Sequence, residues 1–263
     1  MTHIYSEIIS KTNQKGPTKR ATINRRRALA GGLALAAAST PLHKALSEAT
    51  NVNPDVPPEV FSSIARNSLY TLDRPLTPYK LVATYNNFFE FGSHKKIWKT
   101  AQQLPLNPWP VRINGLVKKP RIISPSDLLE MFPLEERWLR HRCVETWSMA
   151  VPWSGFPMRA FVEMAAPLSS ARYVRMETFH DRDMAPGQRQ FWYPWPYVEG
   201  VTIAEATNEL AFLVTGAYGK ELPNQHGAPL RIALPWKYGF KSGKSLVRFT
   251  FTETQPVSFW QAL

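Results

Sequence analysis

The residue with the widest chemical reach in this 263-residue chain is its single cysteine, Cys143, in the run Arg140-His141-Arg142-Cys143-Val144-Glu145-Thr146-Trp147. A lone thiol has no internal disulfide partner. It therefore serves as a buried apolar residue, an intermolecular link, a reactive group or a metal ligand. The thiolate is the form that attacks electrophiles and binds metals, and nearby positive charge favours it. Arg140, His141 and Arg142 supply such charge in sequence, which points to a lowered thiol pKa. The competing reading is an inert core cysteine, because free Cys is among the most buried residue types. The residues alone leave both open.

Three other stretches carry chemistry-bearing side chains. Tyr85-Asn86-Asn87-Phe88-Phe89-Glu90-Phe91 sets two amides and a carboxylate among aromatic rings, which suits a heteroaromatic ligand in a half-dry pocket and equally suits a capped turn. Gln225-His226-Gly227-Ala228-Pro229-Leu230-Arg231 is a turn feeding a strand, with His226 and Arg231 as anion donors or as solvated turn residues. Pro235-Trp236-Lys237-Tyr238-Gly239-Phe240-Lys241-Ser242-Gly243-Lys244 mixes lysines with Gly and Ser, whose backbone N–H groups can cradle an anion; a basic surface hairpin is the alternative. The phosphate-loop spacing G-x-x-x-x-G-K-[ST] is absent, as are C-x-x-C, H-E-x-x-H and C-x-x-C-H. If a metal binds, Cys143 is its one protein sulfur ligand, and most other ligands come from a cofactor. A soft thiolate favours a thiophilic metal over Mg or Ca.

The elements that must position these residues follow from local patterns. Residues 49–80 are polar and Pro-rich, and predict an extended arm laid over the core. Alternation predicts a strand over 111–117. Ser124, Pro125 and Asp127 predict a capped helix start. Residues 138–144 alternate again, with Leu139, His141 and Cys143 on one side, so Cys143 falls near a strand end, ahead of a turn at Pro152-Trp153-Ser154-Gly155. A helix is predicted over 158–165, a strand over 173–179 and a short helix capped by Thr202 and Glu205. Further strands follow over 211–215, 230–234 and 245–252. Without strict βαβ alternation, the fold class is α+β with a mixed sheet.

Residues 1–46 are set apart as a twin-arginine signal peptide with an uncertain cleavage point. Asn24-Arg25-Arg26-Arg27-Ala28-Leu29 precedes a mildly apolar Ala/Gly stretch, too short to cross a hydrocarbon core of about 30 Å. The competing reading is a basic anion-binding tail. That segment holds eight basic residues and one acid, so the chain's +12 falls to +5 over residues 47–263, with 24 basic against 19 acidic residues. Such a surplus gives no case for nucleic acid, which calls for basic clusters interleaved with exposed aromatics.

In order along the chain stand Tyr85-Asn86-Asn87-Phe88-Phe89-Glu90-Phe91-Gly92, Arg142-Cys143-Val144-Glu145-Thr146-Trp147-Ser148-Met149, Pro152-Trp153-Ser154-Gly155-Phe156-Pro157, Pro196-Tyr197-Val198-Glu199-Gly200, Tyr218-Gly219-Lys220, Gly227-Ala228-Pro229-Leu230-Arg231 and Pro235-Trp236-Lys237-Tyr238-Gly239-Phe240-Lys241. With these motifs the chain resembles, from about Leu76 to Trp260, the molybdenum subunits of bacterial periplasmic protein-methionine-sulfoxide reductases, within the sulfite oxidase fold family. The resemblance implies that residues 47–263 form a sulfite-oxidase-like molybdopterin-binding domain with mixed sheets and short helices, short at its C-terminal end and between Met184 and Pro196. It implies one molybdenum held by a single molybdopterin dithiolene and by the Cys143 thiolate. Asn86, Phe89, Glu90 and Thr178 would hold the pterin, with His226, Arg231 and the Ser242-Gly243-Lys244 segment around its phosphate. Asn87 and Glu145 would face the metal on the substrate side, Glu145 as the candidate proton donor. The family commonly carries Asn where this chain has His226, whose imidazole can donate to a phosphate with pH-dependent tautomer and charge. Also implied are oxygen-atom transfer from methionine sulfoxide in oxidised periplasmic proteins and twin-arginine export. Electrons would come from a membrane haem-binding subunit fed by the quinone pool. A sulfite-oxidase-like enzyme acting on another small oxyanion, or a non-catalytic pterin-binding protein, are the alternatives.

Overall fold

Capping signals and apolar alternation set most of the element boundaries. The computed structural model describes residues 59–263, so the expected export segment over 1–46 and the opening of the Pro-rich arm lie outside the described residues. The rest of the arm is broken by two helices the sequence did not announce, α1 (Glu59–Ser62) and α2 (Tyr79–Thr84). Helix α3 (Trp98–Ala101) precedes strands β1 (Val111–Gly115) and β2 (Arg121–Ile123). Helix α4 (Pro125–Met131) starts as predicted: Ser124 Oγ accepts from Asp127 N and Asp127 Oδ2 from Ser124 N, each at 3.1 Å. Strands β3 (Glu135–Arg142) and β4 (Ser148–Pro157) form a hairpin that runs into helix α5 (Met158–Ala165). Then come β5 (Tyr173–Thr178), β6 (Val198–Thr202) and helix α6 (Ile203–Ala206), started by the predicted Thr202/Glu205 box. Strands β7 (Phe212–Ala217), β8 (Lys220–Glu221), β9 (Arg231–Ala233) and β10 (Leu246–Thr252) and helix α7 (Phe259–Ala262) complete the order.

Two five-stranded sheets result. The first runs β2-β1-β10-β5-β6 and is mixed, because β1 and β10 pair in parallel while its other pairs are antiparallel. The second runs β3-β4-β7-β8 with β9 also on β7, and all its pairs are antiparallel. The α+β class with short helices and a mixed sheet is thus observed. The arm does lie against the second sheet: Asn67 N donates to Glu136 O at 2.8 Å, and Thr77 N to Ala150 O at 2.9 Å.

The predicted turn at residues 152–155 is instead the middle of β4. Pro152 lacks an N–H and Gly155 lacks a side chain, so both look like breaks in sequence. Pro152 sits opposite Trp138, and its carbonyl accepts from Tyr218 N at 3.0 Å, just past the end of β7, so its nitrogen faces a place where no ladder bond is due. Gly155 lies at the β4–β7 irregularity, where an added Cβ would fall 2.0 Å from Leu213 O. The glycine permits a close strand approach, and the turn lies at residues 143–147.

The core is built from the inward faces. On α5, Met158, Phe161, Val162 and Ala165 are buried at helical spacing, and Phe161 meets Phe249 with ring centroids 4.5 Å apart. All six residues of β7 are buried, as suits a strand covered on both faces. Around this core, the ends of β3 and β4, the start of β9 and the approach to β10 line one cavity.

Candidate active site

The β3–β4 register fixes Cys143. Arg142 opposite Ser148 is the last pair, and the chain reverses over Cys143–Trp147 with Cys143 N donating to Trp147 O at 2.9 Å and Thr146 N to Cys143 O at 3.1 Å. Thr146 is held at φ 73°, a left-handed conformation that a β-branched residue rarely takes and that marks a turn held by its surroundings. Cys143 is buried and lines a cavity of about 370 Å³. Asn86, Asn87, Phe89, Glu90, Glu145, His226, Arg231, Ser242, Gly243 and Lys244 line the same cavity. Of the expected site residues only Thr178 stands off this wall; its hydroxyl donates to Glu90 Oε1 at 2.6 Å, so it holds the carboxyl that faces inward.

Around the sulfur, three groups converge. Asn87 Nδ2 donates to Cys143 Sγ at 3.7 Å and to Glu145 Oε2 at 3.1 Å, and Glu145 N donates to Sγ at 3.5 Å. The thiol itself donates to Glu145 Oε2 at 3.7 Å. The expected lowering of the thiol pKa is not what the surroundings give. Burial pushes Cys143 up, and the Glu145 carboxylate adds to that. The sequence-adjacent cations point elsewhere: Arg140 pairs with Asp73 at 2.6 Å, and His141 is held neutral by burial and by the positive charges of Arg231 and Lys244. A metal at Sγ would replace the thiol proton directly.

Glu145, the candidate proton donor, is held by three donors. Burial would raise its pKa, but hydrogen bonds from Lys95, Trp147 and Asn87 outweigh burial and hold it at about 2. Trp147 Nε1 donates at 2.8 Å, and Lys95 Nζ donates to both Glu145 Oε2 and Asn87 Oδ1. Glu145 is therefore held as a carboxylate acceptor in this hydrogen-bond network. Lys95 is the residue the sequence reading missed. It sits in a Lys-Lys pair that looks like ordinary solvated charge, and its partners are 8 and 50 residues away.

Deeper in the cavity the walls are cationic. Arg231 is 2% exposed, and its guanidinium donates to His226 O at 2.8 Å and Ser242 O at 3.4 Å. Lys244 Nζ donates to Asn87 O and Gln225 O, each at 2.8 Å. Gly227, at φ 102°, lets the lysine in: a Cβ there would fall 2.6 Å from Lys244 Cβ. Burial lowers Arg231 to about 9 and holds Lys244 well below its usual value, with Arg231 adding to the effect on the lysine. Neither cation has a carboxylate in salt-bridge range among the described residues. Buried charge without a counter-ion is costly, so this wall is built for an anion.

His226 completes that wall. Its Nε2 lies 3.1 Å from Val82 O, and a carbonyl only accepts, so Nε2 carries the proton. Burial, then Lys244 and Arg231, lower its pKa to about 3. The expected pH-dependent tautomer and charge are thus replaced by one neutral form, with Nδ1 buried and without a protein partner. Asn86 is similar: Nδ2 donates to Val82 O at 2.8 Å while Oδ1 is buried without a partner. Glu90, pushed up to about 7 by burial against the Thr178 hydrogen bond, sits on the same wall. Ser242 Oγ accepts from Leu234 N at 3.2 Å. Two orphaned polar atoms, two cations outside salt-bridge range of a carboxylate among the described residues and the Phe88 and Phe89 rings suit a flat, hydrogen-bonding heteroaromatic group with an anionic tail. No group of three His, Cys, Asp or Glu side chains converges among the described residues, so a metal beside Cys143 takes its other ligands from that group.

Comparisons with known proteins agree with this chemistry. The family model described as an oxidoreductase molybdopterin binding domain matches residues 99–260. The chain is 49% identical over 194 residues to the protein-methionine-sulfoxide reductase catalytic subunit MsrP of Pseudomonas syringae pv. tomato; the match covers 73% of this chain and 58% of that protein. The chain thus spans less than two thirds of that relative's length. Among solved structures, the sulfane dehydrogenase SoxCD of Paracoccus pantotrophus matches with TM-score 0.52 and 17% identity, over 92% of this chain and 61% of that one, a likeness of fold alone.

Proposed function

The chain belongs to the family of oxidoreductase molybdopterin-binding domains, and from that premise we propose that it reduces methionine sulfoxide in exported proteins at a molybdenum ligated by Cys143. One observation carries the reading: a lone thiol faces a cavity whose far wall holds the buried Arg231 and the partly buried Lys244, neither with a carboxylate in salt-bridge range among the described residues. The relative MsrP supplies the substrate class. When bound, the molybdenum cofactor supplies a two-electron centre that accepts an oxygen atom.

The chain's own residues do the rest. Arg231, Lys244 and the Ser242-Gly243 backbone hold the cofactor phosphate. His226 Nδ1 and Asn86 Oδ1 offer lone pairs to its pterin, so His226 serves as an acceptor where a phosphate donor was expected. Phe88 and Phe89 keep water from its rings, and Glu90, steadied by Thr178, completes the pterin contacts. Asn87 presents Nδ2 beside the sulfur, where the N–H directed at Cys143 Sγ can pass to the sulfoxide oxygen while the other stays on Glu145, which holds the amide in place. These contacts bind and orient; no protein nucleophile is needed.

Three further parts of the reading rest on sequence. Arg25-Arg26-Arg27 before an apolar stretch supports twin-arginine export to the periplasm. The relative's designation as a catalytic subunit supports a separate electron donor. That donor is a membrane haem-binding subunit fed from the quinone pool.

The test is turnover of the cofactor-loaded protein with artificial carriers. A reduced viologen should drive sulfoxide loss from oxidised methionine, while ferricyanide-coupled sulfite oxidation should be negligible. Sulfite oxidation without sulfoxide reduction would overturn the proposal.

A further inference from the structure

Resting on the proposed reduction of sulfoxide beside Cys143, we propose that Lys95 is a positioning residue that fixes which end of the Asn87 amide faces the reacting oxygen. An asparagine side chain can be rotated to exchange its carbonyl oxygen and its amino group at almost no intrinsic cost, so its partners decide the orientation. Here three partners agree. The Lys95 ammonium can only donate, and it lies against Asn87 Oδ1. The Glu145 carboxylate can only accept, and it lies 3.1 Å from Asn87 Nδ2. Cys143 Sγ, an acceptor once metal-bound, lies 3.7 Å from the same Nδ2. Reversing the amide would set an amino group against an ammonium and a carbonyl against a carboxylate and a sulfur.

Lys95 is the member that ties the group together, because it alone contacts both Asn87 Oδ1 and Glu145 Oε2. It is not on the cavity wall, and it acts from behind the residues that are. Its own placement is set locally: Lys95 O accepts from Asn86 N at 3.4 Å, so the chain doubles back after Gly92, and the ammonium lies 5.5 Å from the Tyr85 ring centroid. Tyr85 in turn packs edge-on to Trp147, a further donor to Glu145.

The chemical consequence concerns discrimination. A sulfoxide oxygen is a strong acceptor and a thioether sulfur a weak one, so an N–H fixed at the sulfur favours the oxidised substrate over the reduced product. An amide free to turn would offer a carbonyl part of the time and repel that oxygen.

The experiment uses cofactor-loaded wild type and the Lys95→Met, Lys95→Arg and Lys96→Met variants. Three quantities are read for each: molybdenum per chain, the metal–thiolate charge-transfer absorption, and KM and kcat for methionine sulfoxide. Lys95→Met should keep the metal and shift the absorption, because Sγ loses an ordered donor. Its kcat/KM should fall about tenfold to hundredfold, the usual loss when an orienting partner is removed. Lys95→Arg should recover most of both, and exposed Lys96→Met should match wild type. Unchanged absorption and kcat/KM in Lys95→Met would overturn the proposal, and so would loss of the metal, which would make the lysine part of the scaffold. If wild type reduces no sulfoxide, the proposed function fails on its own. The absorption change then still decides the role of Lys95.

Discussion

Cys143 shows how far neighbours in sequence differ from neighbours in space. Two arginines and a histidine flank it along the chain, yet the groups that meet its sulfur are Asn87 and Glu145, and the largest influence on its pKa is burial, which raises it. His226 makes the same point through its charge. Its folded pKa is about 3 against an ordinary 6.5, so on acidification the unfolded chain takes up a proton that the native one refuses. The stability due to a neutral His226 is therefore complete above pH 6.5 and is lost as pH falls from there toward 3. The ring faces Lys244, Arg231, His141 and the edge of Trp153, and the Val82 carbonyl, which favours the charged form, is outweighed by burial and Lys244. We expect the His226 contribution to the melting temperature of the cofactor-free chain to be lost as pH falls below 6.5, against the opposite trend of Glu90, whose carboxyl, pushed up to about 7, adds stability as pH falls through 7. His226→Asn should flatten part of that fall, leaving the share due to His141. The whole effect is at most a few kcal/mol. Equal slopes in the two proteins, measured by calorimetry, would contradict it.

Among the elements, those announced by local chemistry were legible, and those held by distant partners were not. The Ser124–Asp127 and Thr202–Glu205 boxes close within three residues, so the sequence places α4 and α6 directly. Helix α5 follows from its apolar spacing. Strand β4 was hidden because its proline and glycine serve neighbours on β7 and the turn after it, more than fifty residues away. The same holds at the site. Cys143, Asn87, Glu145, Arg231 and Lys244 are read from motifs, whereas Lys95 becomes visible only once the chain has doubled back. Gly155 tests this account of β4. A turn glycine with an ordinary φ tolerates alanine, but here the methyl would meet Leu213 O at 2.0 Å. Gly155→Ala should cost about 3 kcal/mol, lowering the melting temperature by about 10 °C. A change below about 2 °C would show that β4 and β7 are not so closely apposed.

At the scale of the whole molecule, the two sheets bring one thiol and one anion-seeking wall to the same cavity, and neither feature is explained by the protein alone. Burial pushes the Cys143 thiol pKa up, and among the described residues neither Arg231 nor Lys244 has a carboxylate in salt-bridge range. In the proposed reading a dithiolene-bound metal with a phosphate tail would answer both at once: the metal would displace the proton and the phosphate would neutralise the cations. Among the described residues no helix is long and apolar enough to cross a membrane. X-ray absorption at the molybdenum edge tests the central claim most directly, applied to the loaded protein and to its Cys143→Ser variant. Wild type should contain one molybdenum per chain with a thiolate sulfur in addition to the dithiolene pair, and the variant should lose that one sulfur while keeping its fold. Identical sulfur coordination in the two proteins would contradict the assignment of Cys143 as the ligand and, with it, the site described above.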